Sequence, residues 1–309
     1  MKKAILLLIP LLMLTACTND KDRDFKIVCP TGAPAYAFYN YANKSNFETN
    51  SVPSNIVAMM SSTSDKDVVV IDTVSGIKAI NNGAPFKLAA SITFGNFYIA
   101  STGNDENGVM DEGDKIVLFG EHQTPDLLFH YLYGSNYDSS VEFVTNVQDA
   151  AKCLISGKNA ITGSTVDYVF VAQPVLFNAL KKNEKASLYV NVQDAYKEKS
   201  GGKSLIQASI FVKETIREKN SLYRLLDSIE KDVNNAIENP DLISEGLKDL
   251  STEEVTAKYG VASEVAIAVL KDNNGLGLGF KNSMDIKDQI DSFISLFSLE
   301  NTNEEIYIF

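Results

Sequence analysis

Short unbroken runs of β-branched and aromatic residues alternate along this chain with stretches whose apolar positions recur every three or four residues. The runs at 25–29, 68–71, 86–92 and 97–100 read as strands. Asp72-Thr73, after the second run, is placed to cap a helix that carries Ile77 and Ile80 and stops at Asn82-Gly83. Residues 30–34 turn the chain into an aromatic-rich helical stretch that reaches Tyr41. A segment at 102–114, rich in Gly, Asn, Asp and Glu, interrupts the pattern. It then resumes as strand 115–119, helix 125–133, strand 141–144, helix 147–156, strand 168–171 and helix 174–181. A second polar break at 197–203 contains Gly201-Gly202, and 206–212 reads as a returning strand. Beyond it the chain is mainly helical: Leu222, Leu225, Leu226, Ile229, Val233 and Ile237 share one face up to Asn239-Pro240, and Ile290, Phe293, Ile294 and Phe297 share another. Strand and helix in units of about 30 residues predict parallel sheets with crossover helices. The piece between the breaks, about 90 residues, is the size of one lobe.

The start of the chain follows a different rule. Lys2 and Lys3 precede an apolar run at 4–14, and Leu14-Thr15-Ala16-Cys17 ends it. The run is shorter than the ~20 residues of a spanning helix, so 1–16 reads as a signal peptide and Cys17 as the lipidated first residue of the mature chain. Residues 17–24 then form a polar tether, and the anchor places the protein on the extracytoplasmic face of the cell membrane. Loss of Lys2 and Lys3 leaves 26 of the 28 basic residues against 40 acidic ones, a net charge of −14. That balance argues against nucleic acid as a partner. A hydrophobic content of 45% argues against general disorder. Cys29 and Cys153 both sit among apolar residues and read as two separate buried thiols.

Catalytic and metal motifs are hard to place. His122 and His130 have no second ligand at metal spacing, so no metal or other cofactor is expected. Gly202-Lys203-Ser204 lacks the upstream glycine of a phosphate loop, with Lys197 in its place, and reads as a linker. Residues 275–279, Gly-Leu-Gly-Leu-Gly, lack dinucleotide spacing and read as a loop.

Several stretches carry a resemblance. The segment from Asp67-Val68-Val69-Val70-Ile71-Asp72-Thr73 through Asn82-Gly83-Ala84-Pro85-Phe86 to Thr93-Phe94-Gly95-Asn96-Phe97-Tyr98 resembles the first-lobe core of ABC-transporter solute-binding proteins of the sulfonate, nitrate, taurine and thiamine-precursor type. Gly120-Glu121-His122-Gln123-Thr124-Pro125-Asp126 is similar to that family's G-x-x-x-T-P-D helix opening. Asp167-Tyr168-Val169-Phe170-Val171-Ala172-Gln173-Pro174 is similar to its D-Y-A-L-L-P-E-P strand and turn, with Gln173 where many members have an acid. The acidic-aromatic tail at 304–309 echoes one branch of the family. The resemblance implies an α/β, two-lobed, periplasmic-binding-protein-like fold, each lobe a mixed sheet flanked by helices, with two hinge crossovers. Lobe 1 is expected from 25–102 with 204–309, and lobe 2 from 103–203. The function implied is capture of a small solute, such as a sulfonate, a nitrate-like anion or a thiamine pyrimidine precursor, for an ABC permease and its separate ATPase. The alternatives are an enzyme on the same bilobal fold, of pyrimidine-forming or menaquinone-pathway type, and a structural or adhesive surface lipoprotein.

Ligands of open α/β sheets sit beyond the carboxyl ends of strands, where helix starts present free N–H groups. That rule selects Thr31 and Gly32, Asp72 and Thr73, His122 and Thr124, and Gln173, with Thr93, Phe94 and Asn96 at the crossover. Each has a plainer reading beside it: Asp72 as a simple helix cap, His122 as an exposed loop residue, and Tyr36, Phe94 and Tyr98 as core.

Overall fold

A computed structural model describes residues 23–299 and 304–308. The leader at 1–16 and Cys17 lie outside the described residues. Of the tether, Arg23 is held against the body: its guanidinium nitrogens lie 2.6 Å from Asp67 and 2.7 Å from Glu218.

The chain forms eleven described strands and twelve described α-helices, with two short 3-10 turns. First come β1 (Ile27–Pro30), α1 (Ala33–Tyr36), β2 (Phe47–Asn50), α2 (Pro53–Ala58), β3 (Val68–Asp72), α3 (Thr73–Asn81) and β4 (Phe86–Thr93). The middle part comprises β5 (Phe97–Ser101), β6 (Ile116–Phe119), α4 (Thr124–Tyr133), β7 (Val141–Val144), α5 (Val147–Ser156), β8 (Tyr168–Ala172), α6 (Val175–Lys182), β9 (Ser187–Asn191) and α7 (Val192–Lys199). The last part comprises β10 (Ala208–Lys213), α8 (Lys219–Glu238), α9 (Leu242–Leu247), α10 (Thr252–Tyr259), α11 (Ser263–Lys271), β11 (Leu278–Asn282) and α12 (Lys287–Ser295).

These elements make two mixed sheets. The six-stranded sheet has the order β11-β4-β10-β3-β1-β2, and the five-stranded sheet β7-β6-β8-β5-β9. In the first, β1 runs parallel to β2 and β3, and β10 is inserted antiparallel between β3 and β4. In the second, β6 runs parallel to β7 and β8, and β5 is inserted antiparallel between β8 and β9. The parallel strands follow from their composition: Val68, Val69 and Val70 are fully buried, as expected for strands covered on both faces. Each such valine contributes about 1.5–3 kcal/mol of hydrophobic stabilisation. The amphipathic α8 lays its buried Leu222, Leu226, Ile229 and Val233 inward and packs on β11. Cys29 and Cys153 are both buried and free.

The chain passes between the sheets at 94–96 and again at 200–207. The first passage precedes β5, so residues 97–102 belong with the five-stranded sheet and not with the residues before them. The polar segment at 102–114 is a loop inside that sheet's own connectivity. It is polar because Asp105, Asn107, Asp111 and Asp114 accept hydrogen bonds from neighbouring backbone N–H groups. The true passage is three residues long and needs a close backbone approach: Phe94 N–H donates to the Gly277 carbonyl at 2.8 Å. A Cβ on Gly277, whose φ is 62°, would lie 2.0 Å from the Gly95 carbonyl oxygen. The glycine-rich 275–279 segment is therefore more than a loop: it packs against this passage and leads into edge strand β11.

A candidate solute cavity between the two sheets

The carboxyl ends of β1, β2 and β3 face those of β6, β7 and β8 across a cavity of about 110 Å³. Its apolar wall includes Pro30, Pro34, Ile71, Phe97, Phe119 and Val147. Phe97 and Phe119 belong to a three-ring cluster with Phe170, their centroids 5.4–6.2 Å apart, which stiffens one side. The polar wall comes from both sheets: Thr31, Ser51, Asp72 and Gln207 on one side, and Gln123, Asn146, Gln148 and Gln173 on the other, with Asn96 in the passage. Asp72 is the single ionisable side chain among the described lining residues.

Three contacts bridge the cavity from one sheet to the other. Thr124 Oγ1, at the start of α4, donates to Asp72 Oδ1 at 2.7 Å. Gln148 Nε2, in the first turn of α5, donates to Thr31 Oγ1 at 3.1 Å. Lys78 Nζ of α3 donates to the His122 carbonyl at 3.3 Å. Asp72 Oδ1 also caps α3 by accepting from Ser75 N at 2.9 Å. Burial pushes the Asp72 carboxyl above the usual carboxylate range; the Ser75 and Thr124 hydrogen bonds and the nearby Lys78 oppose that without cancelling it.

At the passages, buried amides hold the back of the cavity. Asn96 N–H donates to Gln207 Oε1 at 3.1 Å, and Gln207 Nε2 returns to Asn96 Oδ1 at 2.6 Å. Asn96 Nδ2 donates to the Gln173 carbonyl at 2.8 Å, and the Gln173 N–H returns to the Asn96 carbonyl. The two passages are thereby tied to each other and to the end of β8.

Of the residues selected from sequence, Thr31, Gly32, Asp72, Asn96 and Gln173 line the cavity. The others do not. Thr73 is fully buried and shares a hydroxyl hydrogen bond with Ser209 at 2.8 Å. Thr93 is fully buried within β4, Phe94 packs beside Gly279, and Thr124 is fully buried with its hydroxyl spent on Asp72. His122 has a φ of 61°, and its side chain is 85% exposed, outside the cavity. Sequence reasoning missed Asn146 and Gln148, although the helix at 147–156 was legible and the same strand-end rule applies to β7. It also missed Ser51, because β2 has a single buried apolar residue, Phe47, and no readable period.

Neither a protein-family profile nor a curated protein matches the sequence. Solved structures do. An ABC transporter from Parabacteroides distasonis superposes with a TM-score of 0.67 at 16% identity, covering 91% of this chain and 94% of that one. The ligand-binding component of an ABC-type import system from Staphylococcus aureus, with zinc bound, gives 0.67 at 9% identity, with coverages of 92% and 95%. The periplasmic aliphatic sulphonate binding protein from Escherichia coli gives 0.62 at 12% identity, with coverages of 89% and 86%. The chain has the periplasmic-binding-protein fold. As in those structures, two sheets with flanking helices account for nearly the whole length. Among the described residues no helix is long and apolar enough to cross a membrane, and no group of three or more His, Cys, Asp or Glu is arranged to hold a metal.

Proposed function

We propose that this protein is the solute-binding component of an ABC importer, held by lipid on Cys17 at the extracytoplasmic face of the membrane. Two lobes, one around each sheet, close on a small solute and present the closed form to a permease driven by a separate ATPase. The observation that carries this reading is the cavity itself, walled by strand ends of both sheets and bridged by the Asp72–Thr124 hydrogen bond. Enclosing a solute there removes it from water and pairs its polar groups with pre-oriented amides, which is the physical source of affinity. The sheets are joined by two short passages, the arrangement through which hinge closure operates in binding proteins. A wall with one carboxylate, amides and apolar residues supports binding over turnover, since no nucleophile is paired with a base in it. The resemblance in sequence supports a small solute, such as a sulfonate, a nitrate-like anion or a thiamine pyrimidine precursor.

Small-angle scattering of the full-length chain, with and without candidate solutes, tests the reading. The expected result is a smaller radius of gyration together with a raised melting temperature for at least one of them. A solute at a hundred times its Kd stabilises by about 2.7 kcal/mol. A chain whose dimensions and melting ignore every small solute would instead fit a structural lipoprotein.

A further inference from the structure

An anion-binding cleft needs either a cationic side chain or helix starts whose N–H groups are left open. The cavity lining offers no cation among the described residues, and its helix starts are partly taken up. Among the described lining residues there is no Lys, Arg or His. Outside the lining, Lys78 lies near Asp72 with its ammonium donated to the His122 carbonyl, and Lys152 of the adjoining outer groove is 67% exposed and paired with Asp149 at 2.8 Å.

At three of the helix starts around the cavity, a side-chain oxygen of the chain itself takes one N–H. Asp72 Oδ1 takes the Ser75 N–H of α3, and Asn146 Oδ1 takes the Asp149 N–H of α5. Gln173 Oε1 takes the Phe177 N–H of α6 at 3.1 Å. α4 has no side-chain cap; its first-turn Asp126 sets a buried carboxylate near the helix start, accepts the His122 N–H at 2.8 Å and lies 2.8 Å from His130 Nδ1. Two of these four groups are carboxylates, so an incoming anion meets negative charge where an open helix start would have met partial positive charge.

Asp72 has a further property. Its Oδ1 accepts hydrogen bonds from the Ser75 N–H and from Thr124 Oγ1, and the Ser75 side chain also bonds the carboxylate. The carboxylate stands in the cavity wall opposite apolar surface from Phe97, Phe119 and Val147. A carboxylate that is the single ionisable group among the described residues lining a mainly apolar chamber is matched by a donor and not by another acceptor.

We propose that the cavity takes a compact, largely apolar solute that carries an N–H donor and no anionic group, and that Asp72 is the residue that selects it. The solute's donor meets the Asp72 carboxylate, its apolar body lies against Phe97 and Phe119, and the amide groups of Asn146 and Gln148 bound its other side. The inference rests on the solute-binding reading and narrows it: sulfonates and nitrate-like ions are excluded by charge.

The experiment uses four ligands of one shape and different charge: benzamidine, benzamide, benzoate and benzenesulfonate. Each is titrated against the full-length chain in detergent by calorimetry and melting temperature, for wild type and Asp72→Asn. Benzamidine is expected to bind most tightly and benzamide next, with benzoate and benzenesulfonate at least tenfold weaker. Asp72→Asn keeps an oxygen for Ser75 and Thr124 and removes the charge. It should weaken benzamidine about tenfold to a hundredfold and narrow its lead over benzoate, the scale expected for one hydrogen bond to a charged group. Anions binding wild type as tightly as benzamidine would overturn the inference and leave the solute-binding reading standing. An unchanged order of preference in Asp72→Asn would also overturn it. Silence toward all four would count against the solute-binding reading itself. The wild-type series decides the charge question even if the variant fails to fold.

Discussion

At the scale of single residues, the contact that matters most is between Thr124 and Asp72, because it joins two side chains that begin helices on different sheets. The sequence placed both at helix starts on the correct edge, and the strand-end rule also found Thr31, Asn96 and Gln173. What it could not tell was direction. Thr73 and Thr93 are one residue away from cavity positions or at a passage, yet both point into the core, since neighbouring residues at a strand end face opposite ways. Thr124 faces Asp72 and not the chamber, so its hydroxyl acts on closing. Thr124→Val keeps the size, removes that donor and should cost about 1 kcal/mol of the closed arrangement. Scattering of the solute-free chain is expected to show a larger radius of gyration in the variant. Identical curves would mean that the bond contributes nothing to closure.

At the scale of elements, α4 combines its functional start with a titratable end. His130 Nδ1 lies 2.9 Å from the Asp126 carbonyl oxygen and 2.8 Å from Asp126 Oδ1, and Nε2 lies 3.1 Å from Asp138. Burial lowers the imidazole's proton affinity, but the Asp126 carbonyl and carboxylate and Asp138 outweigh it and hold the group above the ordinary histidine value. A raised value in the folded state gives stability that is complete below the unfolded value, ~6.5, and is lost as pH rises through the folded one. His130→Gln should therefore melt lower than wild type at pH 6, with the gap closing by pH 9; a gap that widens with pH would reverse the assignment. Most elements were legible from period and composition, including α3, α5 and the long α8. The exceptions share a cause. β9 is an exposed edge strand without alternation, β2 buries only Phe47, and β11 starts inside a glycine-rich segment, so none has a hydrophobic signature of its own. The crossover at 93–96 was readable, but the lobe boundary drawn at 102/103 lies one strand too late, because a three-residue passage has little composition to read while the polar loop after β5 has a strong one.

For the whole molecule, the anchoring prediction stands on Leu14-Thr15-Ala16-Cys17. Cys17→Ala is expected to abolish incorporation of an alkyne fatty acid in growing cells; label retained by the variant would place the anchor elsewhere. The order of strands along the chain also governs how the molecule is made. The five-stranded sheet uses one continuous stretch, from Phe97 to Asn191, so all its pairings form between residues that leave the ribosome together. The six-stranded sheet is interrupted: Ser91 of β4 and Ser209 of β10, which share a buried hydroxyl hydrogen bond, are separated by 118 residues. Its first four strands emerge early and then wait, with the open side of β4 and of β3 unpaired, until β10 arrives to fill the gap between them. Closing so long a loop is slow, and unpaired strand edges are sticky. A middle of the chain folded first would shorten that wait, since the Asn96–Gln207 pair holds the ends of β4 and β10 together. On this order of events the middle of the chain acts as a template for joining its two ends.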